Sequence, residues 1–143
     1  MTDQDEVYQR AILELARDRS GAGRMEAPDG TATVDNPMCG DRVTIDLRIE
    51  DGHVTELHHH VRGCLLCEAA AGLLARHAPG ADAAELRALP EKVAAFLADA
   101  AAELPERFAE GSAFTPVRPV RNRHRCVTLA FEAVVEALDD AGA

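Results

Sequence analysis

Four cysteines carry the reactive chemistry of this chain: Cys39, Cys64, Cys67 and Cys126. A thiolate is both a nucleophile and a soft metal ligand, while a free cysteine can also serve as a small buried apolar side chain. Asp41 stands two residues after Cys39 and adds a carboxylate. Three thiolates and one carboxylate suffice for a four-coordinate zinc site, and the same soft ligands hold iron–sulfur clusters. The spacing is unlike a zinc finger, because Cys64-Leu65-Leu66-Cys67 is the one Cys-x-x-Cys and has no mate. Spacing alone leaves the metal open.

Composition narrows the setting. The 143 residues suit one domain, and 47% hydrophobic with 28% charged residues fits a globular protein. The opening Met1-Thr2-Asp3-Gln4-Asp5-Glu6 is acidic and polar, unlike an export signal. No apolar run reaches the roughly 18 residues of a membrane span. A cytoplasmic, reducing location is therefore expected, where cysteines serve metal binding or catalysis more than disulfides. The net charge of −10 argues against nucleic acid and anionic membranes as partners. Four Phe, one Tyr and no Trp offer little for base stacking.

The elements that must position the cysteines follow from periodicity. Tyr8, Ala11, Ile12, Leu15 and Ala16 mark one face of a helix over 4–18. Val43, Ile45, Leu47 and Ile49 alternate with polar residues, giving a half-buried strand, and Asp51-Gly52 signals a hairpin turn. A strict two-residue turn would leave Leu57 and Val61 on the wet face. One extra residue pairs Leu47 with Leu57 and Val43 with Val61, so a bulged or three-residue turn is expected around Gly52. Thr31–Asp35 is a candidate third strand. A helix is expected over 64–77, two or three short helices over 81–112, a loop over 113–123, and a last helix over 124–139.

This order brings the chemistry together. A hairpin returns the chain to the end it left, so Cys39, Asp41 and Cys64 share one end of the sheet, with Asp41 opposite Gly63. Cys64 and Cys67 fall in the first turn of a helix, and Cys126 near the start of another, where free N–H groups favour a thiolate. Arg118, Arg121, Arg123, His124 and Arg125 precede Cys126, and no carboxylate occurs between Gly111 and Phe131. That basic tract stabilises thiolates or a bound anion. Of the three adjacent histidines, His59 shares the inward face with Leu57 and Val61, while His58 and His60 point outward.

Asn36-Pro37-Met38-Cys39-Gly40-Asp41 resembles the NP-x-CGD motif of the IscU/NifU-type iron–sulfur cluster assembly proteins. Gly63-Cys64 opening a small-residue helix resembles the family's G-C-x-x-S-x-A-S segment. Cys126-Val127-Thr128-Leu129-Ala130-Phe131 resembles its R-x-x-C-A-T-L-x-W segment. Cys64 follows Cys39 by 25 residues and Cys126 follows Cys64 by 62. The second interval resembles the SufU branch, with 81–112 as its helical insertion. Arg125, where the IscU branch carries a ligand histidine, also favours SufU.

The resemblance implies one domain over 1–143 with an α+β fold of the SufE/NifU-like type: a small three-stranded antiparallel sheet covered by helices. It implies a metal site from Cys39, Asp41, Cys64 and Cys126, holding Zn²⁺ in SufU-type proteins and building a 2Fe-2S cluster in IscU-type relatives. Cys39 would accept persulfide sulfur from a pyridoxal-phosphate cysteine desulfurase of the SufS type, within a Suf assembly system. Arg123, Arg125 and His124 would support thiolates or the partner. Such a protein is a sulfurtransferase-like carrier rather than a turnover enzyme. Cys67 departs from the family, which has Ser there. It could replace Asp41 as a ligand, resolve a persulfide, or simply pack. His59-His60-Val61 also departs from the family's F-x-G. Two other readings are a small redox protein using Cys64 and Cys67, and a zinc-stabilised adaptor without sulfur transfer. The first lacks the βαβ setting of thioredoxin-like motifs.

Overall fold

Apolar residues at alternate positions build the centre of the molecule. In the computed structural model, which describes residues 3–143 with side chains from Tyr8 onward, β2 (Asp41–Glu50) is the middle strand of an antiparallel sheet. It is flanked by β1 (Gly30–Asn36) and β3 (His53–Arg62), and the order β1-β2-β3 is that of a meander. Among the described residues five α-helices accompany the sheet: α1 (Asp3–Arg17), α2 (Leu65–His77), α3 (Ala83–Arg87), α4 (Leu89–Ala98) and α5 (His124–Ala141). The expected α+β architecture is present.

The hairpin register is the expected one: Val43 pairs with Val61 and Leu47 with Leu57, and Ile45 faces His59. The extra residue is not in the turn. Asp51 and Gly52, at φ 52° and 77°, make a two-residue turn with both residues left-handed, which matches the twist of the strands. Arg48 pairs with Glu56 and Ile49 with Val54, so Thr55 bulges out of β3. A bulge inside the strand delivers the same one-residue correction while leaving the Asp-Gly turn unstrained.

β2 is more than half-buried. Thr44 and Asp46, on its second face, are also closed off from solvent. Asp46 accepts hydrogen bonds from Arg24 Nε (2.7 Å), Met25 N–H (3.0 Å) and Thr31 Oγ1 (2.6 Å), so a buried carboxylate is fully partnered. On the other face Val43, Ile45 and Leu47 enter the core. There α5 lies against β1 and β2, and α2 packs on both α1 and α5. Val127, Ala130, Phe131, Val134 and Leu138 of α5 are all buried, as the periodicity requires. The open edge of β3 is covered in part by Gly21–Gly23: His59 N–H donates to Gly21 O (2.7 Å) and Gly23 N–H to His59 O (2.8 Å).

The expected loop over 113–123 is instead largely 3₁₀ helix, in segments Glu106–Val117 and Arg121–Arg123. Phe108, Gly111, Phe114 and Val117 recur every three residues and are all buried. Three is the 3₁₀ period, so that spacing was the signal in the sequence. Residues 81–112 supply α3, α4 and most of the first 3₁₀ segment. No helix among the described residues is long and apolar enough to cross a membrane.

Candidate metal centre

The site lies where the open end of the hairpin meets the N-termini of two helices. Asp41 begins β2, and β3 ends at Arg62 opposite Arg42. Gly63 then crosses directly beneath the Asp41 carboxylate. A Cβ on Gly63 would lie 2.6 Å from Asp41 Oδ1 and 3.2 Å from its Cβ and Cγ, so a side chain here would push the carboxylate from this position. Oδ1 accepts the backbone N–H of Cys64 at 3.2 Å. Cys64 is the N-cap of α2 in extended conformation (φ −80°, ψ 172°).

Cys67 follows one turn into α2, with its Sγ 4.0 Å from Cys64 Sγ. Cys126 enters from the first turn of α5, with its Sγ 3.4 Å from Asp41 Oδ2. The ligand atoms of Asp41, Cys64, Cys67 and Cys126 all lie within 4.8 Å of one another. Asp41, Cys67 and Cys126 are buried, and Cys64 is half-buried. Cys39 lies apart from this set. It is exposed, on the turn in which Cys39 and Gly40 N–H groups donate to Asn36 O (3.2 and 2.8 Å). It nevertheless lines, with Asp41, Cys64, Arg123 and Cys126, a single pocket of about 270 Å³.

The thiols differ in acidity. Hydrogen bonds from the Cys67 thiol and N–H, with help from Arg123, outweigh burial and lower Cys64 to about 5. Cys67 is driven the other way, by its bond to Cys64 and by burial. Burial also pushes Cys126 up to about 12, although Arg123 opposes it. Bonds to Cys64 and Cys126 hold the Arg123 guanidinium above its usual range.

Of the supporting residues expected around Cys126, Arg123 alone lines the pocket. Arg125 pairs with Glu132 (3.5 Å) and faces a separate groove with Pro90 and Glu91. The His124 ring reaches back to the carbonyls of Val117 and Arg118 (3.1 and 3.0 Å). The histidine run stays outside as well. His59 is 3% exposed in the core, His58 meets Glu56 at 3.1 Å, and His60 is exposed. Sequence reasoning missed Gly63 as the residue that admits Asp41. The expected pairing of Gly63 with Asp41 was the available signal.

The donor set fits a metal ion. With Zn–S near 2.3 Å and Zn–O near 2.0–2.2 Å, a tetrahedron places sulfurs about 3.8 Å apart and a sulfur about 3.5 Å from an oxygen. The Cys64–Cys67 and Cys126–Asp41 separations of 4.0 and 3.4 Å already match those edges. Small side-chain rotations bring the remaining pairs in from 4.8 Å or less.

A three-stranded meander packed by helices, with a thiolate–carboxylate pocket at the mouth of its hairpin, defines a small α+β protein built around a metal-ligand cluster. The chain belongs to the NifU-like N terminal domain family, whose pattern matches residues 7–140. The crystal structure of a nitrogen-fixing NifU-like protein (N-terminal) from Brucella abortus is 35% identical. It superposes with a TM-score of 0.87 over 99% of this chain and 98% of that one. The iron-sulfur cluster assembly scaffold protein IscU of Thermotoga maritima is 28% identical over 137 residues, covering 92% of each chain. A SUF-system scaffold structure from Fervidobacterium islandicum, 18% identical, shares the fold with a TM-score of 0.81 over 93% of this chain and 97% of that one.

Proposed function

We propose that this chain is an iron–sulfur cluster assembly scaffold of the SufU type that takes persulfide sulfur on Cys39. The observation that carries the reading is one accessible thiol that lines a pocket with Cys64, Cys126 and the Asp41 carboxylate, three members of a four-residue cluster of metal-ligand atoms. Family membership and the IscU relative support it. Cysteine desulfurases generally serve such scaffolds, and a SufS-type, pyridoxal-phosphate enzyme is the proposed donor, with other Suf proteins as further partners in the cytoplasm. Residues 1–143 act as one domain, 81–112 being its helical insertion.

In the transfer step the Cys39 thiolate attacks the terminal sulfur of the donor's persulfide. The donor S–S bond breaks, its cysteine leaves as a thiolate, and Cys39 becomes the persulfide, with no net oxidation. Cys39 shares the pocket with the thiols that would receive a 2Fe-2S cluster as cargo. Asp41, Cys64 and Cys126 are the proposed common ligands, with Zn²⁺ as the resting occupant and Cys39 and Cys67 the contenders for the fourth position. Zinc, when bound, supplies charge that keeps its thiols deprotonated. Arg123 holds thiolate charge at the pocket wall. Met38, Leu65 and Val120 are the exposed large apolar residues among those described. Met38 adjoins Cys39 and Leu65 adjoins Cys64 in the chain, so a docking partner has apolar surface beside both thiols.

The test is sulfur loading. The protein is incubated with a SufS-type desulfurase, cysteine and pyridoxal phosphate, alkylated, and mapped by mass spectrometry. One extra sulfur on the Cys39 peptide is expected, and none anywhere in Cys39→Ser. Loading that is unchanged in Cys39→Ser refutes the assignment.

A further inference from the structure

We propose that the resting metal is held by Asp41, Cys64, Cys67 and Cys126, and that Cys39 stays uncoordinated and free to take sulfur while the metal is bound. The inference rests on the metal-site part of the function proposed above and names its ligands. Cys67 is therefore the fourth ligand, and it supplements Asp41 rather than replacing it.

Three observations converge. The four ligand atoms already lie within 4.8 Å of one another, a set that includes Cys67 and not Cys39. Cys64 and Cys67 are the N-cap and third residue of α2, on one face of its first turn, so a single rigid element presents two sulfurs 4.0 Å apart. That separation is near the roughly 3.8 Å edge of a tetrahedral zinc–thiolate site. Asp41 is also divided in its duties: Oδ1 is held by the Cys64 N–H, and Oδ2 turns to the Cys126 sulfur. A carboxylate oriented by a backbone N–H through one oxygen presents the other as a fixed ligand.

Cys39 has none of these constraints. It is exposed on a turn, whereas Cys67 is fully buried in the first turn of α2. Cys39 lines the same pocket but stands outside the cluster of ligand atoms, whereas Cys67 already stands within it. Holding metal and accepting sulfur then become separate tasks on separate cysteines. A sulfur donor could reach Cys39 without first displacing the metal.

The experiment uses zinc as the sole probe. Wild-type protein is stripped, reloaded with zinc, and its stoichiometry measured. Each cysteine's alkylation rate is then followed by mass spectrometry in metal-free and zinc-saturated protein. Zinc is expected to protect Cys64 while leaving the Cys39 rate within about twofold of its metal-free value. In Cys67→Ser the fourth position passes to Cys39, so zinc should slow its alkylation at least about tenfold. If zinc slows Cys39 tenfold in the wild type, the ligand assignment falls and the metal site stands. If zinc binds Cys67→Ser with unchanged affinity and leaves Cys39 open, Cys67 is no ligand. If zinc binds neither protein, the metal site itself is refuted. Should Cys67→Ser fail to fold, the wild-type rates alone decide.

Discussion

His59 makes the stability of this protein depend on pH in a defined window. His59 is 3% exposed, and its buried Nε2 has no hydrogen-bond partner among the described residues. Burial, and then the Arg19 charge, lower its pKa from 6.5 to about 4. Asp18 opposes them, and the neighbouring His58 and His60 lower it further. The unfolded chain takes up this proton near pH 6.5 and the folded chain only near 4. His59 therefore leaves stability untouched above about pH 7, and stability falls as pH drops through that window. Between pH 7 and pH 5 the linkage amounts to about 2 kcal/mol, at about 1.4 kcal/mol per pH unit once the unfolded state is protonated. The perturbation is His59→Leu, which keeps the backbone bonds to Gly21 and Gly23 and removes the titrating ring. Urea unfolding of both metal-free proteins at pH 7 and pH 5 is the assay. The other histidines and the cysteines are common to both, so their contributions cancel. The wild type should lose about 2 kcal/mol more than the variant on acidification. Equal losses would mean that His59 is protonated in the fold, and the burial argument would be wrong.

Two further perturbations probe the site. Gly63→Ala drives a methyl group into the Asp41 carboxylate. It should destabilise the protein by about 1–3 kcal/mol and weaken zinc binding together, read by thermal melting with and without zinc. A normal melting temperature with unchanged zinc affinity would show that the approach is not tight. In metal-free protein, Cys64 should remain reactive toward iodoacetamide at pH 6, where an ordinary thiol is silent, and Cys67 should not react. Arg123→Leu should move the Cys64 rate profile to higher pH, and a profile that does not move would remove Arg123 from the thiolate's support.

Legibility in the sequence followed regular geometry. The alternation of Val43, Ile45 and Leu47 against Leu57 and Val61 set the hairpin register, because a one-residue slip would expose every apolar side chain at once. That register alone brought Asp41 opposite Gly63 and carried Cys39 and Cys64 to one end of the sheet. The NP-x-CGD segment and the two further cysteine motifs were readable on the same terms, since each sits at the border of a regular element. The basic tract before Cys126 was visible as composition, yet composition does not say which residue faces inward.

The rest was decided by packing in three dimensions. Whether Arg123, His124 or Arg125 meets the cysteines depends on where the 3₁₀ turn over Arg121–Arg123 hands over to α5, and a change of helical pitch there rotates each side chain differently. Arg123 enters the pocket, while Arg125 points to Glu132. Thr55 takes up the extra hairpin residue because an Asp-Gly turn closes best with two. The contrast between Cys67 and Cys39 is likewise tertiary. Both are near the other ligands in the chain, but α2 buries one and the Asn36–Gly40 turn leaves the other in solvent. Sequence by itself determined which ligands share an end of the molecule, because strand pairing is a matter of period. The tertiary structure decided which of them point at one another, because side-chain direction at element borders depends on the packing of both neighbours.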